Sequence, residues 1–384
     1  MTLDRNTIKQ KLRQQRLGTP SWGYADSGTR FHTLTRPYAP RNLHEKIEDA
    51  AQVQKFTGVC PCLDLHTAWD SSTDWAATRD FAESLGLKIG AINPHLFAHN
   101  DYSFGTICNP AERVRRQSLD KLLEGIEIGQ AVGSKVLSLW FPDGTDYPGQ
   151  DNFRKRKGYA EAALRRVYDA MPADMRLVLE YKFFEPAFYH TDLADWGISY
   201  ILTRQLGDRA GVLVDLGHHA LGANVEHIVS ILISEHKLGG FHFNDKKYGD
   251  DDLTVGSINP YQLFLIYCEL VAAAVDERYA GDMERVAYMI DENHNLKPQI
   301  EGTIQSVCAL QEAYAKALLV DHAALAKAQD NADLIQTEEL IKAAYNTDVR
   351  PLLAEVRGEM GLAADPVAAF RASGYMKAIT AKRT

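Results

Sequence analysis

The segment VLVDLGHH (residues 212–219) runs from three apolar residues into an aspartate and then, past a Leu–Gly step, into two histidines. Its first part has the length and composition of a buried strand, and the polar residues come where that strand would end. The same arrangement occurs in LVLEYK (177–182), GGFHFND (239–245) and AYMIDEN (287–293). Because the carboxyl ends of parallel strands meet at one edge, these segments predict a shared polar site there.

Short apolar runs alternate with helical patterns along most of the chain. Leu119, Leu122, Leu123 and Ile126 repeat at i, i+3, i+4 and i+7, which places them on one helical face. Parallel strands need crossover helices, so this alternation predicts the α/β class and a (β/α)8 TIM barrel, although a doubly wound open sheet would alternate similarly. The predicted strands are 20–24, 58–66, 88–93, 135–141, 177–182, 212–217, 240–244 and 286–291.

Strand signals stop near residue 300. Residues 1–300 are therefore predicted to form the barrel domain with a short N-terminal helix, and 301–384 a helical C-terminal extension in which 338–359 has a helical pattern. A closed barrel has no evident use for this extension. It could pack on its own barrel or grip a neighbouring subunit, and the pattern leaves both alternatives open.

Charge and cysteine content exclude several classes of protein. The formal net charge is −9, which disfavours a nucleic-acid partner. The five cysteines have no zinc-ligand spacing, and their odd number argues against a disulfide framework. No apolar run approaches the ~18 residues of a membrane span. These observations predict a cytoplasmic protein without a membrane partner.

The polar residues at the strand ends have the chemistry of metal ligands. Asp215 and His218 are separated by Gly217, which permits a sharp bend, and Asp250 and Asp252 could close on one cation. Buried charges need a compensating partner such as a metal ion. Carboxylates with a few imidazoles and no thiolate suit Mn²⁺, Mg²⁺ or Co²⁺ better than structural zinc.

Each of these residues also has an ordinary structural role. A strand-end aspartate can cap a helix, an acidic run such as 250–252 can be an exposed turn, and Lys182 can be an ion-paired lysine. Such roles would have to hold at four successive strand ends, which favours the metal interpretation. Lys182 stands two residues after Glu180, so both side chains point the same way.

The earlier strand ends carry aromatic residues and a second acid–imidazole combination. Trp69 and Trp140 are predicted to form a flat wall for the C–H face of a sugar, with ordinary core packing as the alternative. His66 and Asp70 are predicted to form an oriented acid–base pair able to open a sugar ring. Asn93 ends the third strand and is a candidate substrate contact.

Several of these segments resemble bacterial L-rhamnose isomerases of the broad-specificity type, which also accept D-allose and related aldoses, within the wider xylose-isomerase-like barrels. The resemblance spans nearly the whole chain. It is strongest in LEYKFFEPAFY (179–189) and GGFHFNDKKYGDDDL (239–253), and extends to PSWGYADSGTRF (20–31), LHTAWD (65–70), SLWFPDGTDYPGQ (138–150), VDLGHHA (214–220), MIDENHN (289–295) and DPVAAFRASGY (365–375).

The resemblance implies a (β/α)8 barrel, a homotetramer and two divalent metal ions per subunit, usually Mn²⁺, with Co²⁺, Mg²⁺ or Zn²⁺ as alternatives. It implies that one metal is held by Glu180, Asp215, His242 and Asp291. It implies that a second, catalytic metal is held by His218, Asp250 and Asp252, with Asp215 as a bridge.

The remaining roles also come from the resemblance. Lys182 would polarise the substrate carbonyl, and His66 with Asp70 would attend ring opening. Phe31 resembles an aromatic residue that family members insert into a neighbouring subunit's site. One departure is Tyr181, where the family has histidine, at a position that should point away from the site.

The expected reaction is aldose–ketose interconversion, L-rhamnose to L-rhamnulose, by a metal-assisted hydride shift, with an enediol route as the mechanistic competitor. A metal-dependent phosphodiesterase or nuclease could use the same barrel, but the net charge of −9 disfavours a polyanionic substrate. A sugar epimerase is a further alternative. A protein that only binds metal or sugar would leave Lys182 and His66 without a purpose.

Overall fold

Eight parallel strands form a closed barrel in the computed structural model, which describes residues 3–28, 33–185, 187–293 and 296–383. Each strand pairs with the next one along the chain, and the first closes against the last. The predicted barrel is confirmed, and the open sheet is excluded. The strands are β1 Gly18–Pro20, β2 Cys62–His66, β3 Lys88–Asn93, β4 Val136–Leu139, β5 Arg176–Glu180, β6 Ala210–Asp215, β7 Leu238–Phe243 and β8 Ala287–Ile290.

A helix follows every barrel strand. After the N-terminal α1 (Arg5–Gln14), the barrel helices are α2 Leu43–Thr57, α3 Trp75–Ser84, α4 Glu112–Val132, α5 Phe153–Ala170, α6 Trp196–Leu206, α7 Val225–Ser234, α8 Pro260–Val275 and α9 Gln299–Leu318. The C-terminal helices are α10 His322–Asp330, α11 Leu334–Tyr345, α12 Arg350–Glu359, α13 Pro366–Ala372 and α14 Tyr375–Arg383. No described helix combines the length and hydrophobicity needed to cross a membrane.

Side-chain caps start six of the eight helices that return from the carboxyl ends of the strands. The Asn42 side chain accepts a hydrogen bond from the Glu45 amide at the start of α2 (3.0 Å), and Asp195 and Asn259 cap α6 and α8 in the same way. Gly58 ends α2 with φ +72°, a conformation that side chains with a Cβ rarely adopt. These caps keep the loops that build the site at one end of the barrel.

An apolar layer fills the barrel beneath the polar strand ends. Ala91, Val178, Leu213 and Met289 pack together as a separate buried cluster. Because side chains alternate along a strand, Val178 and Glu180 both point into the barrel, with Glu180 nearer the carboxyl end. The site above this layer is therefore closed off from the amino-terminal end of the barrel.

The C-terminal helices pack on the barrel of their own chain. Helix α9 crosses the predicted boundary at residue 300 and packs on α2 and α8, so it is the eighth barrel helix. Helices α12 and α13 pack against α9, and α12 also contacts α1. In α11, Leu334 and Ile335 remain 74% and 73% exposed. A contact of this helix with a neighbouring subunit stays a prediction.

Two predicted elements differ from the structure. The first strand lies at Gly18–Pro20, and most of the predicted strand 20–24 is a helical turn, Ser21–Tyr24. The helical pattern at 338–359 is divided into two helices by the turn between Tyr345 and Arg350. The first difference matters for the site, because it changes the direction of Trp22.

Candidate metal and sugar site

Four strand ends bring one group of potential ligands together. Glu180 ends β5, Asp215 ends β6, His242 lies in β7 and Asp291 follows β8, and one ligand atom from each lies within 4.8 Å of the others. The His242 Nδ1 atom lies 3.3 Å from Glu180 Oε2, 3.7 Å from Asp215 Oδ2 and 3.6 Å from Asp291 Oδ2. The structure thus brings together the four residues that the resemblance assigns to the first metal.

A second group shares Asp215 with the first. It consists of Asp215, His218 and Asp250, again with ligand atoms within 4.8 Å of one another. The His218 Nε2 atom lies 3.3 Å from Asp250 Oδ1 and 3.9 Å from Asp215 Oδ2. The other ring nitrogen, Nδ1, lies 3.0 Å from the Tyr181 carbonyl oxygen, which orients the imidazole.

Asp252 is placed differently from the prediction. It lines the cavity, but it is not part of either group of converging ligand atoms. Its backbone has φ +46°, a left-handed conformation that is strained for aspartate and that sets the direction of the side chain. Asp215, which the resemblance gives as a bridge, is the third member of this group, and the role of Asp252 as a ligand stays a prediction.

The charges of these groups are strongly coupled. Burial, together with the charges of Glu180 and Asp250, raises the pKa of Asp215 to about 7. Burial also opposes the charged forms of Glu180 and Asp250, but the neighbouring imidazoles outweigh it and hold both pKa values below the ordinary range. Burial lowers the pKa of His242, yet Glu180 and its neighbours raise it to about 10, and the pKa of His218 is raised for the same reason. Metal binding here would displace these protons.

Unpartnered buried atoms test whether these residues suit a metal ion. Both ring nitrogens of His242, Oδ2 of Asp215 and Oδ1 of Asp250 are buried and make no hydrogen bond to any described residue. Buried polar atoms without partners are costly unless a ligand satisfies them. The donors are oxygen and imidazole nitrogen, which suit a hard or borderline divalent cation. The residues therefore fit two cations, one at each group.

Lys182 lies beside the second group. Its Nζ is 2.6 Å from Asp250 Oδ2 and 2.9 Å from Glu185 Oε2, and 5.4 Å from the centre of the Trp140 ring. Burial opposes the charged form of the lysine, but these carboxylates raise its pKa above the ordinary value. Lys182 is therefore a fixed positive charge at the cavity wall.

A continuous aromatic wall lines part of the cavity. Ring centres are separated by 5.6 Å for Trp22–His66, 4.6 Å for His66–Trp69, 5.5 Å for Trp69–Phe97 and 5.9 Å for Phe97–Trp140. Trp69 is 53% exposed, so its ring is available to a ligand. Such a surface suits the C–H face of a sugar.

The predicted acid–base pair of His66 and Asp70 is wrong. The Asp70 carboxylate accepts a hydrogen bond from the His66 backbone amide (2.8 Å), not from the imidazole. The imidazole Nδ1 accepts a hydrogen bond from the Ala68 amide (3.1 Å). Burial lowers the pKa of His66 to about 3, so the ring is neutral and its proton is on Nε2. His66 can donate a hydrogen bond into the cavity but cannot pass a proton to Asp70.

The site opens into a cavity of about 810 Å³ that is large enough for a monosaccharide. Asn93 lines it, and its side-chain amide donates to the Leu65 carbonyl oxygen (3.0 Å). Besides the candidate ligand atoms, three buried polar atoms of lining residues make no hydrogen bond to described residues: Ser138 Oγ, Trp140 Nε1 and Asn293 Oδ1. These atoms are available to hydroxyl groups of a ligand.

Some site residues were not found from the sequence. Trp22 was assigned to a strand, and Phe97 and Glu185 carry no motif of their own. A tryptophan in a loop next to polar strand ends is the sequence signal for such a wall, and it predicts Trp69 and Trp140 but not Trp22. Phe31 lies outside the described residues.

Trp22 is expected to control metal affinity from outside the ligand set. Its Nε1 donates a hydrogen bond to Asp291 Oδ1 (2.9 Å). Trp22→Phe should weaken metal binding at the first group by about 10- to 100-fold, the usual effect of losing an outer hydrogen bond to a ligand. Trp69→Phe is the matched control, because it removes an indole from the same wall without touching Asp291. Equal Mn²⁺ affinities of the two variants in calorimetric titrations would contradict this role.

Comparison with known proteins agrees with the fold. A family model described as xylose isomerase-like TIM barrel matches residues 48–264. A probable sugar isomerase of Rhizobium meliloti is 43% identical over 99% of this chain and 89% of its own length. A probable sugar isomerase of Mesorhizobium japonicum is 44% identical over 98% of this chain and 88% of its own length. A solved L-ribulose 3-epimerase superposes with a TM-score of 0.59 at 14% identity, covering 84% of this chain and 98% of that one.

The fold and the carboxylate–imidazole groups at its strand ends define an α/β barrel of the kind used by metal-dependent sugar enzymes. The chain belongs to the xylose isomerase-like TIM barrel family, since the family model matches more than half of it and the similarity to two relatives spans nearly its whole length.

Proposed function

We propose that this protein is a divalent-metal-dependent sugar isomerase that interconverts an aldose and its ketose. The first substrate to test is L-rhamnose, giving L-rhamnulose, followed by D-allose, giving D-psicose. The observation that carries the proposal is the pair of ligand groups that share Asp215, with Lys182 beside the second group. The names of the two bacterial relatives, probable sugar isomerases, support the class of reaction.

The charges that line the cavity support an uncharged substrate. Its described lining contains six carboxylates: Asp146, Glu180, Glu185, Asp250, Asp252 and Asp291. Lys182 is the one lysine or arginine among the described lining residues, and it is already paired with Asp250 and Glu185. Apart from the two proposed cations, the described lining offers no unpaired lysine or arginine to a phosphodiester or sugar phosphate, which counts against the nuclease alternative.

The remaining lining groups suit a polyol. The aromatic wall offers an apolar face, while Ser138, Trp140 and Asn293 offer buried polar atoms to hydroxyl groups. Sites that bind small ligands combine such apolar surfaces with a few placed polar groups.

The residues divide the work of an aldose–ketose conversion. Two divalent cations at these groups would supply Lewis-acid stabilisation of negative charge on adjacent sugar oxygens. Lys182 holds a positive charge where a carbonyl oxygen gains negative charge. His66 donates a hydrogen bond from Nε2 to a sugar oxygen. The aromatic wall orients the sugar and excludes water from one of its faces.

Metal removal is the direct test of this proposal. Dialysis against EDTA should abolish ketose formation from L-rhamnose, and Mn²⁺ or Co²⁺ should restore it, because the buried carboxylates and imidazoles need a cation to hold the sugar oxygens. Product analysis by chromatography separates ketose formation from epimerisation at another carbon. Full turnover by protein shown to be metal-free would refute the proposal.

The same assay in deuterated water separates the two chemical routes. A hydride shift transfers hydrogen between C1 and C2 without exchange, whereas an enediol route introduces solvent deuterium into the ketose. We propose the hydride shift and expect no deuterium at C1.

The homotetramer and the cytoplasmic location remain predictions. Light scattering tests the homotetramer.

A further inference from the structure

A buried lysine of helix α2 contacts the segment that follows strand β2. Lys46 is 4% exposed, and its Nζ lies 2.7 Å from Asp70 Oδ1 and 3.0 Å from the Trp69 carbonyl oxygen. The Asp70 side chain is fully buried. Removal of one partner from a buried ion pair strongly destabilises a protein, because the other charge is left buried and unpaired. Lys46 and Asp70 therefore fix each other's position.

The second oxygen of Asp70 extends the contact to two further segments. Asp70 Oδ2 accepts hydrogen bonds from the His66 backbone amide (2.8 Å) and from the Ser21 hydroxyl. A single carboxylate thereby joins α2, the turn after β2 and the helical turn after β1. The residues next to these contacts are His66, Trp69 and Trp22, three members of the aromatic wall.

Helix α2 is also held by the C-terminal helix α14. Asp49 is buried and accepts two hydrogen bonds from Arg383 (2.8 and 3.0 Å) and one from Tyr375 (2.7 Å). Because α2 is anchored in this way, it is a rigid support from which Lys46 reaches the site.

We propose that Lys46 and Asp70 are a positioning pair that sets the geometry of the aromatic wall, and that neither residue exchanges protons with the substrate. Asp70 is not among the described residues that line the cavity, whereas His66, Trp69 and Trp22 all line it. The role of the wall as a sugar-binding surface rests on the proposed function. The geometry of the wall itself does not depend on it.

Two variants distinguish positioning from acid–base chemistry. Asp70→Asn leaves one acceptor oxygen where two are used, so its NH₂ group must face either the Lys46 ammonium or the His66 amide, and one of these contacts opens. In the double variant Lys46→Gln/Asp70→Asn, a neutral amide–amide hydrogen bond replaces the ion pair, but no carboxylate is present. Near-ultraviolet circular dichroism reports the packing of Trp22 and Trp69, whose ring centres are 6.5 Å apart, without any substrate.

The positioning role predicts a specific pattern of results. The aromatic circular dichroism of the Asp70→Asn variant should be weaker than that of the wild type, and its bound Mn²⁺ should be normal. Its KM for L-rhamnose should rise on the order of 10-fold, which corresponds to the loss of one charge-assisted hydrogen bond. The double variant should recover the aromatic signal and most of the lost KM. If the wild type converts no sugar, the proposed function fails, but the circular dichroism of the variants still tests the positioning role. Failure of the proposed function is therefore distinguishable from failure of the positioning role.

Three results would overturn the proposal. Recovery of the aromatic signal without recovery of kcat would show that the Asp70 carboxyl itself takes part in proton transfer. Unchanged aromatic signal and KM, with only a lower thermal midpoint, would show an ordinary structural ion pair. A folded double variant that recovers neither signal would show that the pair does not act through geometry.

Lys237 is the matched control. It is 7% exposed, and its Nζ donates to the carbonyl oxygens of Gly207 (2.7 Å) and Ala210 (3.1 Å) at the opposite end of the barrel. Lys237→Gln should lower the thermal midpoint and leave the aromatic signal and KM unchanged. Loss of the aromatic signal in this variant would show that any buried lysine has the same effect, which also overturns the proposal.

Discussion

Asp215→Asn is expected to remove most bound metal from both groups and to lower kcat by ~10³-fold or more, since a bound cation supplies several kcal/mol of charge stabilisation. Asp215 is the one residue that belongs to both the first and the second ligand group, and its Oδ2 makes no hydrogen bond to a described residue. Asparagine can keep the contacts of Oδ1 with the Gly217 amide (2.7 Å) and with Asn244 (3.0 Å), so the fold should persist.

Bound Mn²⁺, kcat and thermal midpoint should be measured on one preparation of this variant. Asp143→Asn is the matched control, because Asp143 is equally buried and belongs to a third acidic group, with Cys108 and Asp192. The charge of Arg156 already compensates that group through an ion pair with Asp192 (2.7 Å). Asp143→Asn should therefore affect stability and not metal content. Two metals per subunit in Asp215→Asn protein would show that Asp215 does not bridge the groups.

Lys182→Ala is expected to lower kcat by ~10²-fold or more, in line with the loss of one preorganised donor to an oxygen that gains negative charge. The structure places the ammonium 2.6 Å from Asp250 and above the face of Trp140, where it is fixed before the substrate arrives. Metal content should stay near normal, because lysine is not a ligand. A merely structural ion pair would instead lower the thermal midpoint and leave kcat nearly unchanged.

Glu185→Gln is the control for the ion pair itself. Glu185 is the second partner of Lys182 (2.9 Å), but its side chain is 48% exposed, and ion pairs of exposed groups contribute little. This variant keeps the ammonium and should change kcat by less than ~5-fold, because such pairs are worth at most ~1 kcal/mol. Near-wild-type kcat in fully metallated Lys182→Ala protein would remove Lys182 from the mechanism.

Local patterns left a closed barrel and an open sheet as alternatives, and the resemblance implied the barrel. The sequence patterns by themselves determined the α/β class and most of the residues at the polar strand ends. Both rest on local patterns: apolar runs of strand length, helical spacing between them, and an acid or imidazole where each strand stops. Glu180, Asp215, His242 and Asp291 could be grouped because every parallel strand in a barrel delivers its last residue to the same face. The departures in the first strand and in 338–359 are errors of boundary, where local signals are weakest.

Only the tertiary structure decided which partner each of these side chains has. Asp70 is four residues from His66 in the chain, yet its carboxylate binds Lys46 of helix α2 and Ser21 of the helical turn after β1. Asp252 has a left-handed backbone, and its carboxylate is not part of either ligand group. Strand direction and side-chain alternation follow from neighbouring residues. Hydrogen bonds and ion pairs depend on backbone turns and rotamers set by segments far apart in the chain, and no local pattern records them.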